Sequence, residues 1–299
     1  MEHLYRCPLC SSENLLLQLR TKDFLTGGEE FALFRCEDCR FVFTQDHPSE
    51  KEIEKYYNSG DYISHDDSAT GILNRLYHLS RNFMLKRKKK IVSNTTSLKR
   101  GNLLDVGSGT GYFGGTMKEA GWSVSCIEPN KKARDFGIKK FKLKMIRNDQ
   151  VLSFPDNHFD CITLWHVLEH FHDFITHAEE LKRLLKPTGI MIVALPNSDS
   201  YDSIYYKEYW AAYDVPRHLW HFNPASFKVF SERVGLHVKE VKQLPLDVFY
   251  ISVLSERNRG SRISFLRGML TGSIFSLMSI FNKSGSSSLI YILRKPPDQ

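Results

Sequence analysis

The 299-residue sequence contains no internal repeat and no low-complexity tract, which excludes solenoid and fibrous architectures. It has no apolar leader. Met1 to Arg6 is polar and runs straight into a cysteine, so no secretory signal is expected and a cytoplasmic location is. It also lacks an uncharged apolar run of membrane-spanning length. The most apolar segment, Ile263 to Phe281, is interrupted by Arg267, after which about fourteen uncharged residues remain where a spanning helix needs ~20. Neither sign of charge dominates: 41 Lys and Arg face 34 Asp and Glu, a net charge of +7 that only mildly favours an anionic partner. The one basic cluster, Lys86-Arg87-Lys88-Lys89-Lys90, ends an expected helix over 72–92. It reads as a solvated helix end that complements the helix dipole, or as a nucleic-acid or anionic-lipid contact.

Cysteine is scarce, with six in the chain, yet four form two matched pairs: Cys7-Pro8-Leu9-Cys10 and Cys36-Glu37-Asp38-Cys39. Each two-residue spacing puts both thiolates on one side of a tight turn, and the two knuckles can converge on one tetrahedral zinc ion. Leu15 to Leu19 and Phe31 to Phe34 read as strands joined at Thr26-Gly27-Gly28, with Phe41-Val42-Phe43 beyond. Residues 1–44 are therefore expected to be a zinc ribbon whose folding free energy comes from the structural ion. All four ligand positions are thiolates, so no catalytic metal is implied there. A redox dithiol is the alternative. Cys126 and Cys161 read as small buried hydrophobes.

The most informative stretch is Leu103-Leu104-Asp105-Val106-Gly107-Ser108-Gly109-Thr110-Gly111. An apolar strand runs into alternating glycines, which allow a sharp turn and close approach to a ligand. A helix from Tyr112 to Ala120 is expected next. Glu128 ends the following strand, where a carboxylate can accept hydrogen bonds from both hydroxyls of an adenosine ribose. Gly109 to Gly114 also fits the dinucleotide pattern G-x-G-x-x-G, which alone is weak. Asp105 argues against a pyrophosphate and for a ligand carrying an ammonium and a sulfonium.

Downstream come Phe154-Pro155-Asp156-Asn157-His158-Phe159-Asp160, then His166-Val167-Leu168-Glu169-His170, Leu184-Leu185-Lys186-Pro187-Thr188-Gly189 and Pro196-Asn197. Over roughly residues 100–245 this order resembles the class I S-adenosylmethionine-dependent methyltransferases, and Asp214 to Phe222 resembles a segment of a subgroup with mostly unassigned substrates. Thr188 departs from the family's usual second glycine. The resemblance implies that S-adenosyl-L-methionine is held by Asp105, Gly107, Ser108, Gly109, Gly111, Tyr112, Glu128 and Pro129, with Asn148 or Asp149 at the adenine amino group. It places His166 near the methionine part or the acceptor. An N/D-P-P-Y/F-type motif, which often marks methylation of base amino groups, is absent after the fourth strand.

Strands at 102–106, 123–127, 143–146, 159–164 and 190–195 alternate with helices at 112–120, 130–139 and 173–185, the pattern of a parallel sheet covered on both faces. Leu236 to Val241 and Ser288 to Leu293 add two strands, the last expected to insert antiparallel. The expected fold is thus α/β, a Rossmann-like seven-stranded, mostly parallel sheet with helices on both faces, plus the small N-terminal zinc-ribbon β module. Residues 45–99 read as linker and helical lid, with Tyr57 and Tyr62 as lid candidates. Residues 100–299 read as the methyltransferase domain, with insertions at 197–224 and 246–287.

The first insertion is dense in aromatics and histidines. Tyr213, Asp214, Arg217 and Trp220 are candidate substrate contacts, Arg217 for a carboxylate or phosphate, and His218 or His221 is a candidate general base alongside His166. His166 and His170 suggest metal binding by their spacing, but no third ligand is evident. In the second insertion, Ile263, Leu266, Leu270, Ile274, Leu277 and Phe281 share one helical face. That face can pack on the core or on a twin subunit as a homodimer, lie on a membrane through 260–282, or close over substrate. The functional expectation is methyl transfer to a small-molecule acceptor at O, N or activated C, such as a sugar or lipid-linked intermediate. RNA or protein methylation through the ribbon and basic run, and a non-catalytic cofactor-binding scaffold, are the alternatives.

Overall fold

The computed structural model describes residues 1–57 and 72–296, so Tyr62 lies outside the described residues. The N-terminal strands are β1 (Leu15–Lys22), β2 (Glu30–Cys36) and β3 (Val42–Thr44), followed by a short helix α1 (Glu54–Tyr57) and the long α2 (Ile72–Thr96). The alternating part then runs β4 (Asn102–Val106), α3 (Tyr112–Glu119), β5 (Ser123–Ile127), α4 (Lys131–Phe141), β6 (Lys144–Ile146), β7 (Phe159–Trp165), α5 (Phe174–Leu184) and β8 (Leu185–Pro196). After it come α6 (Tyr201–Tyr206), β9 (Trp220–His221), α7 (Pro224–Arg233), β10 (His237–Gln243), α8 (Asp247–Asn258), α9 (Ser264–Phe281) and β11 (Ser288–Arg294).

The large sheet has the order β10-β11-β8-β7-β4-β5-β6. The strands from β8 through β6 are mutually parallel, and β11 inserts antiparallel between β8 and β10 as expected. Central strands β4, β7 and β8 read as near-continuous apolar runs because helices cover both their faces. Helix starts follow their side-chain caps: Asn130 accepts from the Ala133 amide, Asp173 from Thr176, and Asn223 forms a capping box with Ser226. From β4 the chain winds outward through β5 and β6, then returns to β7 on the other side. The crevice between the carboxyl ends of β4 and β7 is therefore the topological switch point where α/β sheets bind ligands.

The ribbon is joined to this body by a shared sheet. Its order is β1-β2-β3-β9, and β9 comes from the 197–224 insertion, with Val42 opposite His221 and Phe43 opposite Trp220. Phe41 and Phe43 share one hydrophobic cluster with Phe174, Trp220, Phe222 and the sheet residue Leu104.

The second insertion forms a helical hairpin of α8 and α9, and here an expectation needs correcting. The apolar stripe Ile263, Leu266, Leu270, Ile274, Leu277 and Phe281 does not cover the core: its members are 47–91% exposed. The inward face carries Gly268, Gly272, Phe275 and Ser279. The two helices approach so closely that a Cβ on Gly268 would lie 2.4 Å from the Val253 Cα, and one on Gly272 3.0 Å from the Phe249 ring. Close helix contact selects small residues, which turns the large ones outward.

Candidate active site

The glycine loop between β4 and α3 adopts the conformation its sequence demands. Gly107, Gly109 and Gly111 have φ of 64°, 54° and 80°. A Cβ on Gly107 would strike Val167 at 2.4 Å and one on Gly111 would strike Leu143 at 2.8 Å, while at Gly109 no protein atom lies within 4 Å. Gly109 is thus the open face of the loop. Ser108 ties the loop to β5 through the Ile127 carbonyl, and Tyr112 starts α3, its hydroxyl accepting from Lys140.

Two buried carboxylates flank the loop. Glu128 accepts from the amides of Gly109 (2.8 Å) and Asn130 (2.9 Å), and burial raises its pKa. Asp105, 1% exposed, accepts from the Thr163 hydroxyl at 2.8 Å. Burial pushes its carboxyl up to about 7, with Thr163 and Lys88 acting in the opposite direction. Pro129 is exposed, its carbonyl accepting from Arg134. Between the two adenine candidates the geometry separates roles: Asp149 pairs with Arg147 at the surface, whereas Asn148 lines a narrow cleft of about 30 Å³ with Val106 and Ile127. Phe171 and Leu181 add apolar lining to the cleft, and His177 and Glu180 complete it.

The rim after β7 carries the histidines. His166 has a positive φ of 58°. Its Nε2 lies 3.0 Å from Asp247 and its Nδ1 3.5 Å from Glu169. Burial disfavours its charge, but the two carboxylates outweigh that and raise its pKa to about 9. With both nitrogens facing carboxylates, His166 is unsuited to act as a general base. Asp247, from the second insertion, gave no sequence signal because only the fold brings it to the rim. His170 is held down to about 4 by burial and by His218 alongside it. It also contacts the Tyr57 hydroxyl at 3.0 Å, which brings the segment before residue 58 to the rim.

The first insertion is arranged differently from its sequence reading. Arg217 is no substrate grip: its guanidinium is 1% exposed and bonded to Asp23 (2.8 Å), to Asp214 (2.7 Å) and to backbone carbonyls. It clamps the insertion to the ribbon, and Asp214 is its partner rather than a free substrate contact. Trp220 is buried against Phe41 and Phe174 with its indole N–H on the Phe171 carbonyl. Tyr213 is buried between Trp210 and His221. His221 lies in β9 with Nε2 at 3.0 Å from Thr44 Oγ1, and burial drives its pKa well down, so it cannot serve as base toward a substrate. Of this group only His218 reaches the rim, where it meets His170 and Glu169. Polar and aromatic side chains of a loop normally face solvent, but here the ribbon covers Arg217, Trp220 and His221.

The basic run is also partly internal. Arg87 bonds the Gln243 carbonyl, and Lys88 stacks over Trp165 with its charge toward Asp105 and Asp247.

Cys7, Cys10, Cys36 and Cys39 bring four sulfurs within 4.8 Å of one another, with Cys7–Cys39 and Cys10–Cys36 each at 3.5 Å. A disulfide needs about 2.05 Å. Tetrahedral Zn–S bonds of about 2.3 Å place sulfurs about 3.8 Å apart, so the cluster fits one zinc ion.

Comparison with known proteins agrees with this geometry. The methyltransferase-domain profile matches residues 77–241, more than half the chain. A ubiquinone biosynthesis O-methyltransferase of Pelagibacter ubique is 35% identical over 116 residues, 36% of this chain and 47% of that protein. One from Rickettsia bellii is 21% identical over 207 residues, 66% of this chain and 85% of that protein. The chain spans only 47–61% of the length of the first three curated relatives it matches. A crystal structure of a Pyrococcus horikoshii protein shares the fold at 14% identity, with a TM-score of 0.52 over 81% of this chain and 99% of that one. From the glycine loop, the seven-stranded sheet and the profile match together, the chain belongs to the methyltransferase-domain family, in its class I, S-adenosylmethionine-dependent form.

Proposed function

We propose that the protein transfers the methyl group of S-adenosylmethionine to an oxygen of a small-molecule acceptor. The observation that carries this reading is the open face of Gly109 between two buried carboxylates at the switch point of the sheet. Bound there, the cofactor supplies an electrophilic methyl group whose displacement leaves a neutral thioether. Glu128 takes the ribose hydroxyls while its bond to the Gly109 amide keeps the loop closed. Asp105 takes the ammonium of the methionine part. Asn148 faces the adenine. The protein's main task is then alignment and exclusion of water, since little acid–base work is needed on the donor side. Relatives named as O-methyltransferases favour an oxygen acceptor, although others with comparable identity are named C-methyltransferases. The cysteine cluster holds zinc in a structural role.

The inward placement of Arg87 and Lys88 weakens the RNA or protein reading, because the basic run is not a continuous outer patch. The test is calorimetric titration of zinc-loaded protein with S-adenosylhomocysteine beside a matched NADH titration, followed by radiolabelled methyl transfer to cell-extract small molecules. Micromolar binding of the first ligand alone and label in an alkali-stable ether product are expected. NADH binding instead refutes the reading. Cofactor binding with no labelled product from any extract favours the scaffold alternative.

A further inference from the structure

Positioning of donor and acceptor leaves one feature of the rim unexplained. Glu169 is 1% exposed; His166 Nδ1 faces its Oε1 at 3.5 Å as an ion pair, but neither carboxylate oxygen accepts a hydrogen bond. Leaving such a group unsatisfied is costly unless a ligand completes it. His170 and His218 face it, and one ligand-capable atom from each of the three residues lies within 4.8 Å of the others. The hydrogen bonds behind the rings set the tautomers. His170 Nδ1 is 3.0 Å from the Arg217 carbonyl, and His218 Nδ1 is 2.8 Å from the Ala212 carbonyl. A carbonyl only accepts, so a proton on each Nδ1 satisfies these contacts, with the Tyr57 hydroxyl, also 3.0 Å from His170 Nδ1, as a further acceptor. Nε2 of each neutral ring is then the metal-binding atom. Two imidazole lone pairs with a carboxylate, each ring anchored from behind by a backbone carbonyl, form the donor set and supporting shell of an open divalent-metal centre. The sequence spacing of His166 and His170 hinted at a metal but suggested the wrong pair. The third ligand comes from the insertion, 48 residues beyond His170 in a loop the ribbon holds in place.

We propose that Glu169, His170 and His218 bind a divalent first-row cation that holds the methyl acceptor. The site lies beside the cofactor loop, because Val167, two residues before Glu169, packs against Gly107. This rests on the methyltransferase reading. An acceptor hydroxyl on an open position of the ion loses its proton to water. Its oxygen lone pair then forms the new C–O bond as the carbon–sulfur bond breaks, and that bond's electron pair leaves on sulfur. The ion thus replaces the general base that neither His166 nor His221 can supply.

The test is a Mn²⁺ titration of zinc-loaded, full-length protein followed by electron paramagnetic resonance. The thiolate site retains zinc against the harder Mn²⁺. One Mn²⁺ per chain is expected, weakened roughly tenfold or more by E169Q and by H218A. Zinc content and S-adenosylhomocysteine affinity of both variants report whether they are folded. Absence of Mn²⁺ uptake in protein that binds S-adenosylhomocysteine overturns the proposal, as does uptake unchanged in both variants. Failure of the methyltransferase reading is seen separately, as Mn²⁺ uptake without cofactor binding.

A second inference rests on an independent observation, the outward face of α9. Leu266, Leu270, Leu277 and Phe281 are 59–91% exposed on a helix whose 18 residues extend about 27 Å. The inner face is committed to α8, so the helix can lie on a bilayer but not cross it. Arg262, Arg267 and Lys283 are exposed around the stripe, and the sequence has no acidic residue between Glu256 and Asp298. A twin helix docked on this face would bring like charges together, whereas anionic headgroups neutralise them. We infer that α9 docks the protein on an anionic lipid surface. Flotation with phosphatidylcholine vesicles, with and without phosphatidylglycerol, tests it. Salt-sensitive binding to the anionic vesicles alone is expected, abolished by L270E/L277E with S-adenosylhomocysteine binding intact. No vesicle binding overturns the inference, as does a solution dimer that the same double variant dissociates.

Discussion

Replacing Arg217 by methionine tests whether the ribbon and the insertion are one structural unit. The guanidinium reaches both Asp23, at 0% side-chain exposure, and Asp214, at 18%. Burial pushes the Asp23 carboxyl up, but bonds from Arg217 and Thr26 outweigh it, so its pKa is lowered and it is ionised at neutral pH. R217M leaves that charge buried, which typically costs 3–5 kcal/mol. Asp23 keeps the amides of Leu25 and Thr26 and the Thr26 hydroxyl, so the lower end, about 3 kcal/mol, is expected. In a chain of this size that lowers Tm by roughly 5 °C. D23N/R217M removes both charges and should recover most of the loss, giving a large coupling energy in a double-mutant cycle. The sign with pH follows: the cost of R217M is full at neutral pH and shrinks as Asp23 takes a proton in acid. Thermal unfolding of zinc-loaded protein by circular dichroism reads all four species. An R217M variant within about 1 kcal/mol of the parent, or a double variant at the sum of the singles, refutes the clamp.

The glycine loop gives a paired prediction. G107A collides with Val167 and should lower Tm, whereas G109A meets no protein atom and should keep Tm within a few degrees while losing S-adenosylhomocysteine affinity roughly a hundredfold. Equal effects of the two on affinity and stability contradict the assignment of Gly109 as the ligand face. Asp105, with its carboxyl at about 7, must ionise to receive an ammonium. Calorimetry should show S-adenosylhomocysteine affinity rising about tenfold from pH 6 to pH 8, and D105N should flatten that dependence while weakening binding throughout. C36S should lose the cysteine-site zinc, and hydrogen exchange should rise in 197–224 as well as in 1–44, because β9 depends on β3. Exchange confined to 1–44 refutes that dependence.

Much of the fold was legible because its signals are local. The alternation of apolar strands and capped helices from Asn102 to Pro196, the positive-φ glycines and the two cysteine pairs each follow from neighbouring residues. The cofactor side of the site belongs to the same class, since Asp105, Gly109 and Glu128 all stand at strand ends whose order the pattern gives. The acceptor side was much less legible, for a physical reason. Its residues are brought together by pairing across 179 positions, from Val42 in the ribbon to His221 in the insertion, and by a buried ion pair from Asp23 to Arg217. Sequence patterning treats Arg217, Trp220 and His221 as reactive because polar and aromatic side chains in a loop normally meet solvent. A second sheet laid over that loop reverses the inference, burying three of the candidates and leaving His218 at the rim. The same step explains Glu169. Between two histidines on a strand end it looks incidental, and only the fold, by bringing His218 of the insertion beside His170, gives this buried carboxylate the company of two imidazoles. The ribbon's role in this protein is therefore more than a folded appendage: by fixing β9 it sets where the acceptor side of the site can be.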